Sequence, residues 1–296
     1  VLTEYGKKYV VTLNKVTATP IAGQLIAAGQ VDIATLSAPV LSSLLQQGIL
    51  QKQEILLVAP GVTDAYKGHE HASNFWAALK SSGIAKPEDL RGRTVALNGF
   101  GTNSDAALRT ILLRHKINPD KDVKLVEVPF PNQLAALEQG RVDVAQFSTP
   151  FTEQARATGK ITELFSFIQI FGGPTYNTVL VIKKATAEKN ADAIKSFFAD
   201  FVKGVKWLQT PANRDKAVEL AAETLKLPAE RLKSVYLTAG DEGLDPNLCL
   251  QAAWLQLPLQ QLKETGVIKE AADLKGNIDQ SLLPNAGAAC KAAKTR

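Results

Sequence analysis

The chain has 296 residues, 45% of them hydrophobic and 21% charged, with a formal net charge of +5. That mixture is too apolar for a disordered chain and long enough for two domains. No apolar run approaches the ~20 residues that cross a bilayer, and Lys and Arg are scattered among acids, as in Lys86-Pro87-Glu88-Asp89-Leu90-Arg91, rather than gathered into the basic, aromatic stripe of a nucleic-acid groove.

A strand is predicted over residues 9–16 (YVVTLNKV). A helix follows over 20–28, with Pro20 in its first turn, where no backbone donor is lost, and Gly29 as its left-handed cap. The short apolar stretch 32–36 reads as a strand buried on both faces, and 37–47 as a helix closed by Gly48. Residues 55–62 (ILLVAPGV) read as a buried strand, 63–73 as a polar loop and 74–80 as a strand. Pro87 opens a capped turn; 94–97 is a strand, 98–104 a loop, 104–115 a helix, 123–128 a strand and 133–139 a helix. A strand over 175–183 follows, and after residue 190 helical patterns dominate, over 191–208, 214–225, 230–237 and 246–265. In the first of these, Ile194, Phe197, Phe198, Phe201, Val205 and Leu208 form an i, i+3, i+4 stripe that faces a core. Strands alternating with helices through short joins predict parallel α/β sheets.

The chain also repeats itself. Residues 29–40 (GQVDIATLSAPV) recur as 140–151 (GRVDVAQFSTPF), an offset of 111 that carries Pro20 onto Pro131. A period this long exceeds any solenoid unit and indicates two similar lobes with a cleft between them. The same offset places the first-lobe counterpart of the strand 94–101 ahead of residue 1, so the first lobe is expected to be without its opening strand and the next helix. Met is absent, and residues 1–11 read as the middle of a domain.

In each copy a buried strand ends on a Ser or Thr that begins the next helix: Ser37 in the first, Ser148 and Thr149 in the second. The loop 98–104 is a third such join, with Gly99 and Gly101 letting backbone approach a ligand. Helix N-termini carry unpaired N–H groups and partial positive charge, so several of them at the carboxyl ends of strands form a site for a small anion or polar headgroup. Taken singly, each hydroxyl reads as a plain helix cap. The candidate ligand-binding residues are Thr19, Ser37, Ala38, Asn98, Gly99, Thr102, Asn103, Ser104, Ser148, Thr149, Thr175 and Tyr176. Tyr176 and Phe100 are either apolar walls of the site or core, and Gly172-Gly173-Pro174 suits a hinge or rim.

Asp32 and Asp143 each follow a Gly at the start of a strand, where capping or a local turn bond explains them without a paired-carboxylate site. His69-Glu70-His71 lacks the i, i+4 spacing of a helical zinc site and reads as a polar loop. Residues 99–104 are one residue short of G-x-G-x-x-G, and neither a G-x-S-x-G elbow nor a phosphate-binding P-loop is seen. No nucleophile-and-base pair stands out, and no metal or cofactor is expected. Cys249 and Cys290 are either one disulfide pinning the C-terminal tail or two unpaired thiols.

The run 83–96 (GIAKPEDLRGRTVA) resembles the SGI-x-x-x-EDLKGK-x-VA segment of periplasmic substrate-binding proteins, with the nitrate/sulfonate/taurine branch of ABC importers nearest in form. The A-x-G-x-VD-x-A pattern of 27–34, its second copy at 140–145, and 205–208 (VKWL) followed by 211–214 (PANR) are similar to the same family. The resemblance covers about residues 5–262 and fixes the fold better than the ligand. It implies a two-lobed type II periplasmic-binding-protein fold, each lobe a mainly parallel sheet flanked by helices. Two crossovers near 74–80 and 175–183 would allow hinge closure. Lobe 1 is then 1–77 and 180–296, and lobe 2 is 78–179.

The resemblance also implies a function. The chain would be the solute-binding component of an ABC importer, not an enzyme, capturing a sulfonate, nitrate-like or carboxylate anion. It would act as a monomer with a membrane-embedded ABC permease and no nucleic acid, in the periplasm or anchored outside a cell membrane. Two alternatives share the fold. Thiamine-pyrimidine-synthase enzymes use a Cys-rich motif and histidine chemistry, which two distant cysteines and three histidines do not reproduce. The effector lobes of a transcription regulator need a helix-turn-helix, and these residues show no such pattern.

Overall fold

The computed structural model describes residues 2–49, 54–61, 63–64, 74–226, 228–233, 245–284 and 290. Pro20 sits in the first turn of α1 (Thr19–Ala27), and Gly29, at φ +73°, turns the chain out of it towards β1 (Ile33–Leu36). α2 (Ala38–Gln46), β2 (Ile55–Pro60) and the two-residue β3 (Thr63–Asp64) follow. The middle of the chain is β4 (Asn74–Leu79), β5 (Thr94–Leu97), α3 (Asn103–Arg114), β6 (Lys124–Glu127), α4 (Phe130–Glu138), β7 (Val144–Ser148), α5 (Phe151–Ala157), β8 (Ile161–Ser166) and α6 (Phe167–Phe171). The chain returns through β9 (Thr175–Tyr176) and β10 (Val179–Lys183) to α7 (Lys184–Lys189), α8 (Ala191–Leu208), α9 (Arg214–Leu225), α10 (Ala229–Lys233) and α11 (Ala252–Glu264). No helix among the described residues is long and apolar enough to cross a membrane.

The strands make a three-stranded sheet ordered β1-β10-β2, a five-stranded sheet ordered β6-β5-β7-β4-β8 and a ribbon, β3-β9. Both passages between the larger sheets run through the ribbon, where Thr63 pairs with Tyr176 and Asp64 with Thr175. Asn74–Leu79 is therefore not a crossing. It is an inner strand of the five-stranded sheet, paired with both β7 and β8. The strand expected over 175–183 is likewise divided, with Asn177 and Thr178 between its ribbon part and its sheet part.

The sheets are mixed rather than mainly parallel. β5 is parallel to β6 and β7, but β4 is antiparallel to β7 and β8, and β10 to β1 and β2. The reversed strands are the ones that enter each sheet from a crossing. They arrive at the opposite end from strands fed by a local β–α–β connection. The alternating stretch 9–16 forms no strand: its one bridge joins Tyr5 to Tyr9, and Val10 and Leu13 are exposed. A β pattern needs a ladder neighbour, and the described partner of β1 is β10 alone.

On one side of the three-stranded sheet, Leu36, Leu41, Val181 and Tyr176 pack with Leu255 and Leu259 of α11. On the other, Val58 and Ile182 meet Phe198, Val202 and Val205 of α8, as the apolar stripe predicts. The five-stranded sheet buries Trp76, Val95 and Val144 under Leu108 and Leu112 of α3, and Leu262 of α11 joins that same cluster. α11 thus packs on both units. It begins at Ala252 rather than 246, because Leu248 adopts φ +57° and Cys249 is cross-linked. Of the helix expected over 230–237, only residues up to Lys233 fall among those described.

Cys249 and Cys290 form a disulfide across a sequence separation of 41 residues. Closing a loop of that length contributes about 2–4 kcal/mol. Adding dithiothreitol is expected to lower the urea midpoint correspondingly, and Cys290→Ser to reproduce the loss.

Asp200 of α8 is fully buried. Burial alone would raise its pKa, but donors overcome that: Glu4 N–H at 2.8 Å, Lys203 Nζ and Tyr9 Oη at 3.0 Å, and Thr3 Oγ1 at 3.1 Å hold the carboxylate well below its ordinary range. Burial, with the same bond as a second cause, pushes the Tyr9 phenol up to about 12. A depressed folded-state pKa contributes stability above the unfolded value near 4, and that stability is lost as the pH falls through the folded value. Asp200→Asn should therefore cost on the order of 2 kcal/mol at pH 7, and the gap from wild type should narrow steadily below pH ~4 in urea titrations.

Candidate functional site

The site is built on the carboxyl ends of β1, β5 and β7. Ser37 follows β1 and holds the N-cap position of α2, with extended backbone (φ −92°, ψ 162°), yet its hydroxyl caps nothing. Its Oγ lies 2.9 Å from Thr19 Oγ1, in the first turn of α1. α1 is also without a side-chain cap. The two hydroxyls satisfy one another and leave the first-turn N–H groups of both helices without side-chain caps. Ala38 contributes backbone to that turn while its methyl group lies in the core.

At the end of β5 the chain runs through Asn98, Gly99, Phe100 and Gly101 into α3. Thr102 is a true cap: its hydroxyl accepts from Asp105 N–H at 3.4 Å and donates to Gly99 O at 2.6 Å. A Cβ on Gly99 would stand 3.4 Å from Ala18 Cβ, and one on Gly101, where φ is +71°, 3.3 Å from Pro20 Cγ. Here the loop of the five-stranded unit lies against the start of α1, and the glycines permit the approach. Asn103 Nδ2 reaches Asn177 Oδ1 on the crossing at 3.3 Å. Its other amide atom, Oδ1, and the hydroxyl of Thr175 are both buried without a hydrogen-bond partner. Asn103 is 4% exposed and Thr175 is fully buried.

Ser148, at the end of β7, pairs across the sheet with Asn74. Asn74 Nδ2 donates to the buried Asp64 Oδ2 at 2.9 Å, and Asp64 is the ribbon partner of Thr175. The strand of the second repeat copy is thus joined to the crossing through its ladder partner Asn74 and the buried Asn74–Asp64 hydrogen bond. Neither Ser148 nor Thr149 caps α5, whose N-cap residue is Pro150. Tyr176 belongs to the core. Its hydroxyl accepts from Gln251 N–H at 2.8 Å and faces Cys249 O at 3.4 Å, its ring lies 5.5 Å from Trp254, and burial raises its pKa so that it stays neutral. It fixes the start of α11 rather than lining the site. Phe100 is 44% exposed and is not core.

Gln133 and Gln146, both fully buried, escaped the sequence reading although they hold the loop. A signal was present: Gln146 is a large amide in an otherwise apolar strand, where the first copy has Thr35. Asp143 Oδ2 accepts from Thr94 N–H at 2.8 Å and Asp32 Oδ1 from Thr186 at 2.7 Å, so instead of the cap or local turn bond expected, each makes a tie to a part of the chain distant in sequence. His69 and His71 lie outside the described residues. His115 pairs with Glu88 on the surface at 2.6 Å. No metal-holding group of three His, Cys, Asp or Glu residues occurs among the described residues. The site offers hydroxyls, amides and helix N-termini, which suit a small desolvated polar solute.

Solved proteins share this architecture. The periplasmic aliphatic sulphonate binding protein SsuA from Escherichia coli superposes with a TM-score of 0.65 at 21% identity, over 89% of this chain and 80% of that one. A ligand-binding component of an ABC-type import system from Staphylococcus aureus gives 0.69 at 19% identity, over 95% and 90%. At these identities the likeness is one of fold. In sequence, the taurine-binding periplasmic protein of E. coli is 28% identical over 156 residues, 50% of this chain. The match spans about half the length of that relative, 48%. The family described as NMT1/THI5 like matches residues 10–213, more than half of the chain, and the chain belongs to that family.

Proposed function

We propose that this protein is the extracytoplasmic solute-binding component of an ABC importer, which captures a small anion between its two units and presents it to a membrane permease. The observation that carries this reading is the pair of buried, unpartnered polar atoms, Asn103 Oδ1 and Thr175 Oγ1, where α3 meets the crossing. Buried polar groups in folded proteins are nearly always satisfied, so two such atoms at one junction mark a place where a ligand completes the hydrogen bonding. The uncapped starts of α1 and α2 add partial positive charge for an anion. The similarity to a taurine-binding protein makes sulfonates the first class to try, ahead of nitrate-like ions and carboxylates. The periplasm and a monomeric state accord with this role.

In this reading the lobes are the unit around the three-stranded sheet and the unit of residues 74–171. Against the expected 78–179, the first boundary is moved ahead of β4 because that strand lies wholly inside the five-stranded sheet, and the second back to the end of α6 because β9 pairs in the ribbon. The β3–β9 ribbon is the hinge, and α11, packed on both units, limits how far they swing. An enzyme of the thiamine-pyrimidine-synthase type is the less supported reading, since both cysteines are tied to each other. Calorimetric titration with taurine, ethanesulfonate, nitrate and acetate is the test. The reading predicts saturable 1:1 binding of at least one sulfonate. No heat with any of the four would reject it.

A further inference from the structure

We propose that Gln146 is a specificity-determining positioning residue: it turns Ser104 into an obligate hydrogen-bond donor, so that the site selects solute atoms that accept. This inference rests on the solute-binding reading above. Gln146 is fully buried in β7 and its single amide spans the two ends of the loop 98–104. Its Oε1 faces Asn98 N–H at 3.2 Å. A backbone N–H only donates, so the amide oxygen must be on that side. Nε2 then faces Ser104 Oγ at 2.5 Å and donates to it. This is the hydrogen bond the described residues give the Ser104 hydroxyl, and Oγ spends a lone pair on it, leaving its hydrogen to point elsewhere. Ser104 is 5% exposed and sits in the first turn of α3, so that hydrogen is a donor withheld from bulk water at a helix N-terminus.

The amide is fixed from behind as well. Gln133 Oε1 accepts from the backbone N–H of Gln146 at 2.9 Å, and Gln133 Nε2 donates to Val128 O at 2.8 Å. Two runs of donation therefore meet at Gln146: its backbone N–H donates to Gln133, which donates on to Val128 O, while its side chain takes the Asn98 N–H and donates to Ser104. At the corresponding position of the first copy, Thr35 is exposed, so the device belongs to the five-stranded unit alone.

The test is a double-mutant cycle by calorimetry, with taurine and ethanesulfonate as probes. Ser104→Ala and Gln146→Leu should each weaken binding roughly 10- to 100-fold, the loss of one hydrogen bond to a charged group. The double variant should bind within about threefold of Ser104→Ala alone, because the two residues act as one unit. Gln146→Glu, nearly isosteric, lets Ser104 donate backwards and should be worse than Gln146→Leu. Multiplicative losses in the double variant, or wild-type affinity in Gln146→Leu, would overturn the inference. A readout independent of solute is hydrogen exchange at the Asn98 amide: it should quicken in Gln146→Leu, and unchanged exchange would also overturn the inference. If wild type binds neither probe, the sulfonate assignment fails, and the exchange result still judges the positioning role.

Discussion

Thr175→Val yields a protein that is more stable and binds its solute less well. Thr175 is fully buried and its hydroxyl has no hydrogen-bond partner. An unsatisfied buried hydroxyl costs about 1–3 kcal/mol, and valine keeps the shape while removing the oxygen. Urea unfolding of the unliganded protein should therefore show a gain of about 1 kcal/mol. Solute affinity should fall roughly 10-fold or more, since the bond that the hydroxyl makes is made only with the ligand. The opposite signs are the point of the experiment. A hydroxyl placed for stability would lose on both counts, and a residue remote from the site would move neither. The pattern is the usual trade between stability and a binding site held ready.

Trp76→Ala carries the largest stability loss, about 3–5 kcal/mol. Trp76 is fully buried in β4, with ring centroids 5.4 Å from Phe165 and 5.7 Å from Phe167. Its indole N–H donates to Ala96 O at 3.1 Å, tying β4 to β5 across the intervening β7. Removing it leaves a cavity in the middle of the five-stranded unit. Trp76→Phe should lose less, about 1–2 kcal/mol, because it retains part of the ring packing and gives up the hydrogen bond. Circular dichroism through a urea series separates the two variants. A loss below 1 kcal/mol for Trp76→Ala would mean that this cluster is not the core it is taken to be.

Local signals carried the reading furthest where packing and backbone chemistry agreed. The repeat placed β1 and β7, each followed by a helix, because short apolar strands and Pro-started helices are legible in a single window. The stripe on α8 found its core for the same reason. Long-range pairing was not legible. Nothing near Thr63 announces that it pairs with Tyr176, and nothing in 74–79 shows that the strand is entered from a crossing and so runs against its neighbours. The alternation of 9–16 predicted a strand that has no ladder to join.

At the site, residue types were legible and partners were not. Ser37 looked like a cap and instead bonds Thr19, eighteen positions away. Tyr176 looked equally like wall or core, and a backbone N–H from Gln251 draws its hydroxyl away from the site. Gln146 stood in plain view as a large amide in an apolar strand, but its meaning depends on Asn98 and Ser104, which only the folded chain brings to it.

Crystals grown with taurine test the central claim most directly. The account predicts a solute between the loop 98–104 and the Thr19–Ser37 pair, within hydrogen-bond distance of both Asn103 Oδ1 and Thr175 Oγ1. Taurine bound on an outer surface, or a filled crevice beneath which those two atoms still have no partner, would contradict it.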